Sequence, residues 1–315
     1  MPIWRAYAKI NLSLEVLGRR RDGYHDLVTI LQTVDLYDTL SFEPADKITL
    51  TCNVPGLDTA DNLVLRAARL LQRATGQTAG AAIRLEKGIP IAAGLGGGSS
   101  DAATTLVALS RLWGLHMSEA NLHNLAAALG SDVPFFLVGG TCLAQGRGEM
   151  LTPLPALPEH WVVLVRPALE IPDKTALMYD RITQREYTSG SVTRHMARSI
   201  QDGRPLEIGL IFNTFEWVAF RLFDHIDAVR QQVVDAGADH VRLCGAGPSL
   251  YALYAREQEE EARSLSERLR GEGLEVYLTR TVQVHPEAPI EEEGTGTERE
   301  GKSKKPAARN KQKKT

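Results

Sequence analysis

The sequence predicts a two-domain protein of the α+β class. The first indication is the stretch at 8–16, which alternates strictly between apolar and polar side chains as half-buried strands do. The second is a proline-rich segment at 153–158, which suggests a connection between domains. The third is the closing order of strand, strand, helix and strand, which suits a small α+β domain. We therefore expect domains at 1–155 and 156–285.

The elements of each predicted domain follow from the same kinds of pattern. The first domain is expected to contain a turn at 21–24, strands near 26–34, 47–52 and 83–86, and helices at 61–74, 101–113 and 118–130. The second is expected to contain strands at 161–166, 240–244, 249–254 and 274–283, and helices at 174–184, 208–236 and 257–270. Residues 286–315 show no periodicity and end in a basic run, which predicts a disordered basic tail.

Composition and charge limit the class of protein. Of the 315 residues, 43% are hydrophobic and 24% are charged, which is ordinary for a soluble globular protein. Before residue 287 the chain carries 28 basic and 33 acidic residues, so a general nucleic-acid binder is not expected. The start of the chain matches neither a signal nor a transit peptide, and no apolar stretch approaches the ~20 residues that span a membrane.

The three cysteines, Cys52, Cys142 and Cys244, lie far apart in apolar surroundings. No CxxC pair or Cys/His cluster accompanies them, so neither a disulfide framework nor a zinc site is expected. This usage is typical of a protein in a reducing cytoplasm, and a cytoplasmic location is the expectation.

The strongest chemical signal is a glycine-serine run that precedes the predicted helix at 101–113. Four glycines within five residues allow backbone N–H groups to turn inward around an anion, and the positive end of the following helix points to the same place. A flexible loop with a serine helix cap is the alternative. The run has neither the Walker A pattern nor the dinucleotide-binding pattern. The predicted anion-binding residues are Pro90, Ile91, Ala92, Ala93, Gly94, Leu95, Gly96, Gly97, Gly98, Ser99 and Ser100.

Four other polar or aromatic residues are ambiguous when only the sequence is considered. Lys9 lies on the polar face of the strand at 8–16 and would ordinarily be a surface lysine. Asp132, two residues before a proline, could be a helix N-cap or a catalytic carboxylate with dry surroundings. Tyr24 and His25 follow a turn, where such a pair is commonly a surface feature.

Three segments together resemble the GHMP kinases, a superfamily of small-molecule kinases. They are the glycine-serine run, the segment Ala8-Lys9-Ile10-Asn11-Leu12, and a second glycine loop at 244–249. The resemblance covers about residues 5–283, with small departures at 92–93 and 248–249. It implies an N-terminal domain like ribosomal protein S5, a C-terminal ferredoxin-like domain, ATP as co-substrate and Mg²⁺ as cofactor.

The resemblance also implies roles for individual residues. Lys9 and Asp132 match a catalytic pair beside the acceptor hydroxyl, where the carboxylate takes the proton and the cation offsets developing charge. The implied substrate-binding residues are Asn11, Tyr24, His25 and Tyr179, with the two tyrosines forming a slot for cytosine. Ser100 is the one candidate metal ligand.

The implied substrate is 4-diphosphocytidyl-2-C-methyl-D-erythritol, phosphorylated at its 2-hydroxyl in non-mevalonate isoprenoid synthesis. A GHMP kinase for homoserine or a mevalonate derivative is one alternative, and Tyr24-His25 argues against it because a small acid needs no cytosine slot. A non-catalytic nucleotide sensor is the other, and the presence of both Lys9 and Asp132 argues against that. We expect small-molecule partners, no nucleic acid or membrane, and a monomer or weak homodimer.

Overall fold

The computed structural model describes residues 2–284. The predicted basic tail at 286–315 lies outside the described residues. The strands are β1 Ile3–Arg19, β2 His25–Ala45, β3 Thr49–Cys52, β4 Gly80–Glu86, β5 Thr141–Gly146, β6 Met150–Pro153, β7 His160–Arg166, β8 Phe212–Asn213, β9 Val241–Leu243, β10 Leu250–Ala255 and β11 Glu275–Arg280. The helices are α1 Leu63–Thr75, α2 Gly97–Leu112, α3 Glu119–Leu129, α4 Phe135–Val138, α5 Lys174–Arg181, α6 Ser191–Gln201, α7 Phe215–Leu222, α8 Asp224–Asp235 and α9 Glu259–Gly271.

The described strands form two sheets. The first runs β3-β4-β2-β1-β8, with β5 beside β2 and β6 beside β5. The second has the order β11-β7-β10-β9, and all of its pairs are antiparallel. In chain order the strands of this second sheet are β7, β9, β10 and β11, and helices follow β7 and β10. Numbered 1 to 4 in that order, they lie side by side as 4-1-3-2. This is the predicted ferredoxin-like arrangement, so the α+β two-domain fold is confirmed.

Strand β2 is longer than the pattern at 26–34 predicts. It continues to Ala45 because neighbours pair with both of its edges: β1 follows one edge, while β5 and β4 share the other. The short strand β8 comes from the second half of the chain and pairs with β1 at Ser13 and Leu14. The domain limits at 155 and 156 therefore stay a prediction, since the chain returns to the first sheet after them.

Strand β1 corrects the expectation of a half-buried strand, because its polar face is buried as well. Lys9, Asn11, Ser13 and Glu15 are all at most 4% exposed. The cover near Ser13 and Glu15 is α6, whose Thr193 bonds both side chains: its N–H donates to Glu15 Oε2 at 2.7 Å, and its Oγ1 pairs with Ser13 Oγ at 2.6 Å. The alternation at 8–16 revealed the strand but not the helix that covers it.

Helix α6 was not predicted. Its buried face mixes Thr193 and Ser199 with Met196 and Ile200, so the apolar stripe is interrupted. The helix predicted at 208–236 is two helices, α7 and α8, which meet at Phe223. Other boundaries agree closely; Ser118, for example, caps α3 as expected, by accepting from the Asn121 N–H at 3.2 Å.

Apolar side chains form three clusters that place the two sheets against each other. One lies between the first sheet and α1–α3, and a second lies between the second sheet and the helices α5 and α7–α9. The third joins the sheets, with Ile10 and Leu12 of β1 packed among Val162 and Leu164 of β7 and Tyr251 of β10. The edge of this shared core is where the polar residues of β1 meet the loops of both halves.

Candidate active site

The glycine-serine loop connects β4 to α2 and is held against β1. The backbone N–H of Lys9 donates to Leu95 O at 2.9 Å. Gly96, in the left-handed region at φ 76°, is the N-cap of α2, and a Cβ there would be 2.6 Å from the ring of Phe136. Helix α2 therefore starts at Gly97, four residues earlier than predicted, and its free amides face the loop.

The alternative interpretation of the run, in which Ser99 or Ser100 caps the helix, is wrong. Both serines lie inside the first turn of α2, and the Gly96 cap has no side-chain hydrogen bond. Ser100 is 1% exposed and lines a small cavity with Arg5, Tyr7 and Phe136. Ser100 is thus on the buried side of the helix, in a cavity that Arg5 also lines.

The second glycine loop, residues 244–249 between β9 and β10, packs directly on the first. A Cβ on Gly94, whose φ is 85°, would lie 2.2 Å from Cys244 O and 2.7 Å from Gly247 O. Asn213 holds this loop by donating to Leu243 O at 2.9 Å and Gly245 O at 2.8 Å. Asn213 was not identified from the sequence, because no local pattern connects it with a loop 30 residues away.

Lys9 and Asp132 come together beside the loops. Lys9 Nζ lies 3.5 Å from Asp132 Oδ2 and donates to Asn11 Oδ1 at 2.8 Å. A Cβ on Gly245 would be 3.2 Å from the same Nζ, so the second loop covers the lysine. The surface interpretation of Lys9 is therefore wrong, since only 5% of its side chain is exposed.

Asp132 is 43% exposed, so the dry surroundings predicted for it are wrong. Val133, Phe135 and Phe136 point into the core and leave the carboxylate open to solvent. The alternative role of Asp132 as a helix cap also fails, because Pro134 is the N-cap of α4 and α4 has no side-chain cap. A carboxylate with one oxygen against an ammonium and an open face can accept a proton from a bound hydroxyl.

The aromatic residues predicted for the cytosine slot separate into two groups. The rings of His25 and Tyr179 are stacked, 5.0 Å apart with an interplanar angle of 18°. Tyr24 is 54% exposed, and the guanidinium of Arg147 lies 4.8 Å from its ring. The structure therefore places His25, rather than Tyr24, on the ring of Tyr179.

His25 is suited to hydrogen bonding with a neutral base. Burial, and after it the charge of Arg19, lowers the pKa of the His25 imidazole below its usual value. The ring is then uncharged at neutral pH and offers one donor and one acceptor. Tyr187 contacts the same ring edge-on at 6.1 Å.

A buried charge cluster below the first loop was missed by the sequence analysis. Lys87 Nζ bonds Asp38 Oδ2 and lies 2.8 Å from Asp101 Oδ2, and Asp38 Oδ1 accepts from the N–H groups of Gly88 and Ile89. Burial raises the pKa of Asp101 to about 8, with Lys87 opposing the shift and Asp38 adding to it. Asp101 follows the serines directly, but no sequence pattern showed that β2 supplies its partner.

Lys174, the first residue of α5, is a second group that the sequence analysis missed. Its ammonium donates to Ala92 O at 2.7 Å and to Gly247 O, one carbonyl from each glycine loop. Its side chain is buried, with 9% exposed. It thus belongs to the site, although the sequence predicted only that a helix begins at this residue.

Two kinds of feature are absent from residues 2–284. No helix there is both long enough and apolar enough to cross a membrane. Nor does that part of the chain contain a group of three or more His, Cys, Asp or Glu side chains that could hold a metal ion.

Comparison with known proteins identifies the family of this chain. The family described as "GHMP kinases N terminal domain" matches residues 62–140, and "GHMP kinases C terminal" matches residues 196–273. The 4-diphosphocytidyl-2-C-methyl-D-erythritol kinase of Dehalococcoides mccartyi is 42% identical over 278 residues, 88% of this chain and 97% of that protein. This chain belongs to the GHMP kinases. The 4-diphosphocytidyl-2-C-methyl-D-erythritol kinase of Pelotomaculum thermopropionicum is 41% identical to this chain, and the alignment covers 88% of this chain and 96% of that protein.

Solved structures place the chain within the GHMP kinase family. A crystal structure of 4-(cytidine 5'-diphospho)-2C-methyl-D-erythritol kinase has a TM-score of 0.74 at 36% identity, covering 90% of this chain and 100% of that one. Homoserine kinase from Cytophaga hutchinsonii has a TM-score of 0.68 at 18% identity, covering 91% and 96%, and this likeness shows the GHMP kinase fold alone. The two matched domains contain both glycine loops and Asp132, whereas Lys9, His25, Lys174 and Tyr179 lie outside them.

Proposed function

We propose that this chain transfers the γ-phosphoryl group of ATP to the 2-hydroxyl of 4-diphosphocytidyl-2-C-methyl-D-erythritol, a step in non-mevalonate isoprenoid precursor synthesis. The relatives named above, which align with nearly the whole described chain, carry that substrate in their names. The observation that carries the proposal is the pair Lys9 and Asp132, 3.5 Å apart at the edge of the first glycine loop.

The loop at 90–100 would hold the phosphates of ATP. The first amides of α2 have no partners within the helix, and the positive end of its dipole favours an anion at the same point. Gly94 and Gly96 have left-handed φ values and no room for a side chain, so the backbone itself lines this position. A side chain on Gly94 would collide with the second loop, and one on Gly96 would collide with Phe136 and Lys9.

The chemistry assigned to the pair is proton acceptance and charge stabilisation. The 2-hydroxyl oxygen attacks the γ-phosphorus as the bond to the β,γ-bridging oxygen breaks, and ADP leaves with that electron pair. Asp132 accepts the hydroxyl proton and passes it to solvent through its exposed face. Lys9, held by Asn11, offsets the charge that develops on the transferred group.

The cytidine end of the substrate would be read by the His25 and Tyr179 rings, with Tyr24 at the rim. A neutral imidazole can hydrogen-bond a base edge, and an aromatic platform can stack on its face. Tyr24 is exposed and supported by Arg147, so its ring is free to close over a bound base. Asn11 is oriented for the same substrate by Thr29, whose Oγ1 accepts from its amide at 2.9 Å.

The residues present fit a Mg²⁺ ion that enters with ATP. Mg²⁺ is commonly bound by one or two carboxylates together with substrate phosphates, and it neutralises phosphate charge when bound. Asp132 is the exposed carboxylate at this site, whereas Asp38 and Asp101 are already paired with Lys87. Ser100, the predicted ligand, is buried in a cavity that Arg5 also lines, so we place it second to Asp132.

A phosphorylation assay with three acceptors tests the proposed function. The purified chain is incubated with ATP, Mg²⁺ and, in parallel, 4-diphosphocytidyl-2-C-methyl-D-erythritol, homoserine and mevalonate. We expect ADP formation with the cytidyl acceptor alone. Turnover of homoserine or mevalonate in its place would assign the chain to another GHMP activity, and ADP binding without any turnover would favour a nucleotide sensor.

We also propose domain limits, a cellular location and an oligomeric state for this chain. The domain limits are 1–155 and 156–285, although β8 crosses back into the first sheet. The free thiols of Cys52, Cys142 and Cys244 suit a reducing cytoplasm. A monomer or weak homodimer that binds small molecules is the expected form.

A further inference from the structure

Lys174 lies where the two glycine loops meet. Its ammonium donates to Ala92 O at 2.7 Å and also to Gly247 O, which joins the first loop to the second through one side chain. The residue begins α5, whose Tyr179 stacks on His25. One short helix therefore contacts both the loop assigned to ATP and the ring assigned to the cytidyl substrate.

The loops need a donor at this point because they meet backbone to backbone. The Cα of Gly94 faces Cys244 O and Gly247 O so closely that no Cβ could fit. The N–H of Ser249 reaches Ala93 O at a long 3.3 Å. Carbonyl groups that face each other without a donor are costly to bury, and an ammonium with three N–H groups can satisfy two of them.

One of the two carbonyl groups that accept from Lys174 belongs to Ala92, a residue with a strained backbone. Ala92 has a φ of 54°, in the left-handed region that a residue with a Cβ seldom adopts. Such a conformation persists when surrounding contacts determine it. Lys174 supplies a contact of this kind two residues before Gly94, where the loop turns toward the start of α2.

The charge of Lys174 is not matched by an acidic side chain. Within residues 2–284 no carboxylate forms an ion pair with it, and the titratable groups that face it are Lys9 of β1 and the thiol of Cys244. Burial, and after it the charge of Lys9, lowers the pKa of Lys174 to about 8. An unpaired buried ammonium beside another ammonium suits a site that receives a highly charged anion.

We propose that Lys174 is a positioning residue for ATP, which holds the loop at 90–100 against the loop at 244–249 so that the amides of the first loop converge on the phosphates. The inference rests on the proposed function for its choice of ligand. Lys174 itself is too buried to be expected to touch the phosphates, so it acts through the carbonyl groups that it binds.

Calorimetric titration with ADP tests this role without requiring turnover. Lys174→Met removes the donors and the charge while keeping the length of the side chain, and Lys174→Gln keeps a neutral donor. We expect ADP affinity to fall at least ~10-fold in Lys174→Met, as for loss of a charge-assisted hydrogen bond, and less in Lys174→Gln. Lys47→Met, the same substitution at an exposed lysine, should bind ADP as the wild type does.

Steady-state kinetics separate positioning from a general structural effect. In Lys174→Met the KM for ATP should rise at least ~10-fold, while the KM for the cytidyl substrate stays within about twofold. Unchanged ADP affinity in a folded Lys174→Met overturns the proposal, and so does an equal rise in both KM values. Wild-type protein that binds ADP but does not phosphorylate the cytidyl acceptor rejects the proposed function alone.

If Lys174→Met does not fold, the pH dependence of ADP affinity in the wild type tests the same role. Burial lowers the pKa of Lys174 to about 8, whereas burial raises the pKa of the facing Cys244 thiol to about 12. Burial also raises the pKa of Asp101 to about 8, so the same titration is carried out with Asp101→Asn. In both proteins ADP affinity should fall by about tenfold as the pH rises from about 7 to about 9, because Lys174 loses its charge. A flat profile over this interval overturns the proposal.

Discussion

The residues that carry the proposed chemistry are ordinary in sequence and unusual in their surroundings. Lys9 alternates with apolar side chains as a surface lysine would, yet it is buried, bonded to Asn11 and covered by the loop that contains Gly245. Asp132 departs from expectation in the opposite direction, since it remains open to solvent. The pair is thus a buried cation that orients an accessible carboxylate, an arrangement suited to a base that must exchange its proton with water.

Replacement of Asp132 by Asn tests its assignment as the base. Asp132→Asn keeps the size of the side chain and removes the negative charge, so turnover should fall at least ~100-fold, while ADP affinity measured without Mg²⁺ changes little. Steady-state kinetics and calorimetry measure the two quantities. Asp239→Asn, at an exposed position in the second half of the chain, serves as the control. Normal turnover in Asp132→Asn would remove this residue from the mechanism.

Asp101 offers a test of electrostatics through stability. Burial raises the pKa of Asp101 in the folded protein from its usual value of 3.8 to about 8, so the folded protein binds more protons between these values and loses stability as the pH rises through them. Asp101→Asn removes this titration and keeps a polar group near Lys87. Relative to wild type, the variant should therefore gain stability between about pH 5 and about pH 8.

Urea unfolding at several pH values measures this difference. The control is Asp58→Asn, because Asp58 is an exposed loop residue. If the difference in unfolding free energy between Asp101→Asn and wild type stays constant with pH, the carboxyl of Asp101 does not titrate in that range.

At the scale of elements, the site lies where two glycine loops, at 90–100 and 244–249, contact each other. The first leads into α2 and the second into β10, and their backbones approach more closely than side chains would allow. The glycines of the run differ in whether the structure requires glycine at their positions. Gly94 and Gly96 need both a left-handed φ and space, whereas Gly98 lies in helical backbone where a Cβ would make an ordinary contact of 3.6 Å with Leu63.

This difference predicts unequal effects of alanine within one run. Gly94→Ala places a Cβ 2.2 Å from Cys244 O in a left-handed conformation, so we expect a loss of stability of about 1–3 kcal/mol and weaker ADP binding. Gly98→Ala should keep or raise stability, by about 0.5–1 kcal/mol, because alanine is favoured over glycine in helices. Thermal unfolding compares the two variants. Equal destabilisation by both would mean that the close approach of the loops does not restrain Gly94.

At the scale of the whole molecule, the two halves of the chain share a core and a site. Ile10 and Leu12 of the first sheet pack against Val162, Leu164 and Tyr251 of the second, and the Tyr251 hydroxyl donates to Asn11 O at 2.7 Å. The ring stack of His25 on Tyr179 joins β2 to α5 near the same junction. The proposed substrate would therefore be bound by residues from both halves.

His25→Phe tests base recognition across this junction. Phenylalanine can keep the stack on Tyr179 and cannot hydrogen-bond a base, so the KM for the cytidyl substrate should rise about tenfold while the KM for ATP is unchanged. The matched control is the exposed His225, replaced in the same way. A rise in both KM values would indicate that His25 supports the fold rather than the base.

The sequence predicted elements well where one local signal sufficed. Ser118 and Gly130 bound α3 as expected, and the alternation at 8–16 identified β1. It failed where the decisive partner was distant: β2 extends because β4 and β5 pair with it, and the interrupted stripe of α6 becomes buried through Glu15 and Ser13. The same limit applies to Lys174 and Asn213, whose targets are loops far along the chain.

The sequence by itself determined the α+β class, the glycine run that begins α2, and, through resemblance, the kinase superfamily and the candidate pair Lys9 and Asp132. These follow because glycine conformations, alternation and short motifs are local properties. Tertiary structure alone decided that the polar face of β1 is buried, that Asp132 is open, and that His25 contacts Tyr179. It also brought Lys174 between the two loops, because burial and close approach depend on segments that meet only in the folded chain.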